Sequence, residues 1–180
     1  MIAKTRNTLE WLLEWFLIVL MVTLTIVVVV SVIWRLAGQS FSWYDEVASI
    51  QLSWITYYGA ALAALKRKHI GFDSVLLSLP PNLRAAGIIF AEGTVIAFFA
   101  IMAWAGMQVL QVLAGDTLIS LTWMPIQVTQ SVIPIGAVLF IICELLSLPE
   151  YWKLTMSGIS MEHAEIEEEV ESEMQKAGNA

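Results

Sequence analysis

Glu14, Glu92 and Glu144 lie in or beside long apolar stretches, and they have more scope for chemistry than any other residues in the chain. An ionised side chain at the centre of a bilayer is costly and marks a functional site by default, whereas one near the interface with a cation at hand costs far less. A second acidic feature is the adjacent pair Asp45 and Glu46. Neighbouring residues on a helix point about 100° apart, which argues against a shared general acid/base site. Charged residues at the positive end of a helix describe this pair better. The two histidines, His69 and His163, fall outside the apolar stretches, where a membrane haem anchor would not place its axial ligands. Cys143 sits inside one such stretch, has no second cysteine to pair with, and reads as a small apolar filler. The chain has no phosphate-binding glycine loop followed by Lys-Ser/Thr, no His-Glu-x-x-His and no Gly-x-Ser-x-Gly, so the corresponding nucleotide, zinc-protease and serine-hydrolase chemistries find no motif. No enzyme activity and no cofactor within the chain are expected.

These residues must be positioned by membrane helices. The 180 residues are 58% hydrophobic and only 14% charged, against about one quarter charged in an ordinary soluble domain. Mean hydropathy is +0.75. Apolar runs of about twenty residues recur four times without the alternation of barrel strands, which predicts helices. The expected fold is therefore all-α and integral to the membrane: four transmembrane helices over about 9–34, 44–65, 85–113 and 125–148, plus a short interfacial amphipathic helix. Residues 1–150 form the membrane domain and 151–180 an acidic tail. The net charge of −7 belongs to that tail, since seven glutamates lie in 162–173. No nucleic-acid partner is expected.

The first run is too long for a signal-peptide core, and Trp11, Trp15 and Trp34 mark its ends, as interfacial indoles do. On the second run Glu46, Ser49, Ser53, Thr56 and Ala60 share one face. Gly59/Ala63 and Ala60/Ala64 add small-xxx-small spacing, which lets helices approach closely in lipid. This face suits either docking of a partner chain or packing within the chain's own bundle. Lys66, Arg67 and Lys68 end the second run. Ile70, Phe72, Val75, Leu76 and Leu79 then suit a helix lying in the interface, which Pro80 and Pro81 close. Gly87/Ala91 and Gly93/Ala97 repeat the small spacing in the third run. Pro134 predicts a kink in the fourth, and Pro149 its end.

Orientation follows from the basic residues. Lys4, Arg6, Lys66, Arg67, Lys68, Arg84, Lys153 and Lys176 share one side, and Arg35 stands alone on the other. The positive-inside rule puts both termini in the cytoplasm. Glu92 then lies ~10 Å in from the start of its span and Glu144 ~6 Å from the same side. Glu14 enters at a similar height. All three are expected to pair with Lys66, Arg67, Lys68 and Arg84, or with a partner's basic residues, rather than to line an ion pathway.

Asp45-Glu46, Leu52-Ser53-Trp54, Gly59-Ala60-Ala61, the basic step Lys66-Arg67-Lys68, His69-Ile70-Gly71-Phe72-Asp73 and Leu79-Pro80 form an ordered set. Together with Ile133-Pro134-Ile135-Gly136, this set resembles the small membrane subunit of tripartite ATP-independent periplasmic (TRAP) transporters, the DctQ-like family, over residues from about 10 to 150. The resemblance implies a bacterial inner-membrane complex that takes up organic anions, often carboxylates, on a sodium gradient. Its partners would be a large membrane subunit and, through the complex, a periplasmic substrate-binding protein. It implies no substrate-binding residue here, and assembly roles for Asp45, Glu46, Trp54, His69 and Asp73. Ser49, Ser53 and Ala60 join them as packing candidates from the small face. Two other readings compete with it. A membrane anchor of a redox complex would need a quinone or haem site, and the lack of histidines in the spans counts against it. A small channel or exporter would have to oligomerise to form a pore.

Overall fold

The computed structural model describes residues 2–67 and 77–158, together with residues 170 and 174. Among these every regular element is a helix: α1 (Ile2–Leu36), α2 (Tyr44–Leu65), α3 (Pro81–Val112), α4 (Ile126–Gln130) and α5 (Val132–Ser157). Three stretches are long and apolar enough to cross a membrane: Thr5–Leu36, Pro81–Val112 and Ile126–Ser157. Helix α2 has the expected length but carries Asp45, Glu46, Gln51 and several hydroxyls, and it is not among those three. Most of the interfacial segment and most of the acidic tail lie outside the described residues.

Several boundaries differ from the sequence expectation for physical reasons. Helix α1 begins at Ile2 rather than near residue 9, because residues 2–8 contain no proline or glycine to stop it. Helix α3 begins at Pro81, the first helical position, where the missing proline N–H would be unpaired in any case. Pro134 produces an interruption at Ser131, between α4 and α5, since it lacks the N–H that would bond to the Gln130 carbonyl. Pro149 does not end its helix. α5 runs through it to Ser157 and closes on Gly158 at φ +87°, the left-handed cap that glycine adopts without strain. The turns beyond Pro149 are tied to other helices through Glu150, Tyr151 and Thr155, which offsets the one lost hydrogen bond.

Helix α5 is central. It packs against both α2 and α3, while α1 lies along α2. Its membrane-length window is 44% buried, against 6% for those of α1 and α3. The core joins Leu13 of α1, Ala61, Ala64 and Leu65 of α2, and Phe140 and Cys143 of α5. Phe99 of α3 stacks on Phe140 with ring centroids 3.7 Å apart. Glycine permits the closest approaches. A Cβ on Gly136 would meet Tyr57 Cβ at 2.7 Å, and one on Gly106 would meet Ile133 and Pro134 at 3.0 Å. Gly59 and Gly93 have nothing within 4 Å of that position, so within the chain the small-residue spacing at these two glycines is not a contact. Gly136→Val should therefore lower stability by about 1–3 kcal/mol, the range for overpacking. Gly93→Ala should raise it slightly, by about 0.5–1 kcal/mol, since alanine is the better helix former and its methyl meets nothing. Thermal unfolding of the purified chain in detergent measures both.

Candidate functional site

Helix α2 ends in two basic residues that leave it in different directions. The Lys66 N–H bonds to the Leu62 carbonyl at 3.0 Å and closes the last turn. Arg67 follows at φ +52°, a left-handed conformation that costs an L-residue about 1–3 kcal/mol unless its surroundings enforce it. Here they do, because the turn directs the Arg67 side chain back between α3 and α5.

The Arg67 guanidinium is almost fully enclosed, with 10% of the side chain exposed. Its Nη1 pairs with Glu92 of α3 and with Glu144 Oε1 of α5, the latter at 2.9 Å. Nε donates to Ser147 Oγ at 2.8 Å and Nη2 to the Glu144 carbonyl at 3.3 Å. The Tyr151 ring lies under the guanidinium carbon, 4.6 Å from its centroid, within cation–π range. Ser147 Oγ in turn sits 3.2 Å from the Ala64 carbonyl and 3.0 Å from that of Glu144. One side chain thus binds the end of α2 to both α3 and α5.

Lys66 points the other way, toward α1. It pairs with Glu14 and, at 3.1 Å, with Glu10. The hydrogen bond to Glu14 raises the Lys66 ammonium above the ordinary lysine value, against the opposing effect of burial. A raised lysine pKa gives stabilisation that is complete below the ordinary value and lost only as pH rises beyond it, so this pair is intact at physiological pH. Arg6 of α1 pairs with Glu150 of α5 in the same layer. Arg84 behaves differently from the expected carboxylate partner. It donates to main-chain carbonyls, Thr155 at 2.9 Å, Leu77 at 2.7 Å and Leu79 at 3.2 Å, and so fastens the start of α3 to the end of α5. Lys68 lies outside the described residues.

At the opposite end of α2, the two Glu46 oxygens accept the backbone N–H groups of Ile119 and Ser120 at 3.1 and 2.9 Å. This fixes the loop between α3 and α4, and Ser120 Oγ adds a bond to the Ser42 carbonyl at 2.9 Å. Trp54 Nε1 donates to the Thr129 carbonyl at 3.1 Å. Ala60 is half-buried against the core. Asp45, Ser49 and Ser53 are exposed, and the Ser53 hydroxyl turns back to the Ser49 carbonyl at 3.0 Å. The small face of α2 therefore divides, with its Ala60–Ala64 end packed and its serines outward. His69 and Asp73 lie outside the described residues.

Ser147, Tyr151, Glu10 and Glu150 join the site without having been sequence candidates, and Arg6 entered only through the charge count. Ser147 and Tyr151 stand three and seven positions after Glu144, on one helical face. That signal was hidden by ending the helix at Pro149.

The family model described as Tripartite ATP-independent periplasmic transporters, DctQ component, matches residues 24–153. The chain belongs to this family. The matched range contains Glu46, Trp54, Lys66, Arg67, Glu92, Glu144 and Tyr151, whereas Arg6, Glu10 and Glu14 precede it. No curated protein matches the chain. The family is a component of transporters and not of enzymes, so the buried charges belong to a transporter subunit. Removing the cation from a buried pair costs about 3–5 kcal/mol, and an exposed pair is worth about 1 kcal/mol or less. Arg67→Met should accordingly abolish most of the folded yield, while Lys66→Met should lower the melting midpoint only slightly. Size-exclusion profiles and thermal scans of the detergent-purified variants check both.

Proposed function

We propose that this chain is the small membrane subunit of a sodium-driven TRAP transporter for organic carboxylate anions, and that it serves as a scaffold for the large transport subunit. The observation that carries this reading is the use made of membrane-embedded charge. Arg67, Glu92 and Glu144 bind one another, and Lys66 binds Glu10 and Glu14. These groups join helices, which suits a subunit that holds a shape while its partner moves substrate. On this reading the large subunit uses the sodium gradient, and a periplasmic substrate-binding protein delivers the anion to the assembled complex.

The proposal includes four spans in a bacterial inner membrane. Helix α2 has 22 residues, about 33 Å at 1.5 Å per residue, enough for a hydrocarbon layer of ~30 Å. It packs against two helices of membrane length, which supports a crossing beside them. With four spans the basic residues favour cytoplasmic termini. A reporter fused after Ala180 should then be active only as a cytoplasmic fusion, and one inserted within 114–124 only as an external one. A periplasmic tail would overturn the orientation. For the role itself, the purified chain in liposomes should neither bind nor move carboxylates under a sodium gradient. Uptake should appear when the large subunit and the binding protein are added. Uptake by this chain alone would overturn the scaffold reading.

A further inference from the structure

Two carboxylates and one guanidinium do not balance. Around Arg67, the side chains of Glu92 and Glu144 are 11% and 7% exposed. Each places Oε1 on Arg67 Nη1, while Glu92 Oε2 and Glu144 Oε2 are both buried without any donor. Because both Oε1 atoms rest on the same Arg67 nitrogen, the two carboxyls are close neighbours. Two ionised carboxylates are acceptors only, and like charges at that range in a low-dielectric setting cannot both be ionised without a large cost. An orphaned buried acceptor adds a desolvation penalty of its own.

Among the described residues, no second cation is free to meet the pair. The pair meets Arg67 at the end of α2, whose guanidinium also touches Ser147 and Tyr151 on α5. The nearby cations are already engaged: Lys66 by Glu10 and Glu14, Arg6 by Glu150, and Arg84 by main-chain carbonyls. A partner's basic side chain cannot reach oxygens that are fully covered within the chain. A metal ion would be repelled by the guanidinium, and among the described residues no group of three or more His, Cys, Asp or Glu side chains is placed to hold one.

We propose that Glu92 and Glu144 form a proton-binding site in which one proton is shared between the two carboxyls. The proton turns one carboxyl into a donor toward the other. The cluster then carries one cation, one anion and one neutral acid, a net charge of zero inside the membrane domain.

Infrared spectroscopy of the full chain, purified in a maltoside detergent free of ester carbonyls and labelled with carbon-13 glutamate, reads this directly. At neutral pH the wild type should show a protonated glutamate carbonyl band that moves in deuterium oxide. Glu92→Gln and Glu144→Gln should each lose that band and keep the wild-type folded yield, because either leaves a single carboxylate against Arg67. The double variant leaves Arg67 unmatched and should lose most of its folded yield. Absence of the band in the wild type, its persistence in both single variants, or failure of either single variant to fold would overturn the proposal. So would loss of the wild-type band when choline chloride is replaced by sodium chloride, which would make the occupant a sodium ion.

Discussion

The Arg67 guanidinium is buried at the end of α2 with its charge matched from two other helices, Glu92 on α3 and Glu144 on α5. A guanidinium offers five donors in a fixed plane, and the surroundings use its edges and one face: carboxylates, a hydroxyl, a main-chain carbonyl and an aromatic ring. Such a cluster tolerates little displacement, because a helix that slid would leave a buried charge unpaired. In lipid this matters more than in water, since no hydrophobic force draws helices together there. The relative heights of α2, α3 and α5 therefore rest on this contact. Lys66, one residue earlier, extends the same layer to α1.

The other end of the α2–α5 pair is held by different chemistry. Glu46 binds backbone N–H groups of the α3–α4 loop, and Trp54 reaches a backbone carbonyl in α4. Between these two ends the packing uses small residues: Ala61, Ala64 and Gly136 let α2 and α5 approach, with Tyr57 lying against Gly136. Helices α1 and α3 flank this pair and expose most of their apolar surface.

Much of this was legible from residue types. Helix α2 is bounded as read, by Asp45-Glu46 at one end and the basic step at the other. The layer containing Glu14, Glu92, Glu144 and the basic residues follows from height arithmetic alone. Which cation meets which carboxylate was not legible, because it depends on the left-handed turn at Arg67, and nothing in the residue type signals that turn. Arg84 illustrates the same limit, since whether an arginine takes carboxylates or carbonyls depends on which helix end faces it. Pro149 misled, because proline is a reliable stop only where tertiary bonds do not hold the next turn. Gly59 and Gly93 have no close neighbour among the described residues, since spacing names a face and not its neighbour. Residues 68–76, with His69 and Asp73, carry part of the family resemblance and lie outside the described residues.

The family assignment makes this chain a component of a tripartite transporter, and the proposed scaffold role assigns its membrane-embedded charges to holding helices rather than to moving ions. The most direct measurement is the sodium-to-substrate coupling ratio of the assembled, reconstituted complex, compared between wild type and Glu144→Gln and expressed per complex. A scaffold role predicts the same ratio in both, whatever the change in assembly yield. A changed ratio in the variant would contradict that role and make Glu144 part of the transport mechanism.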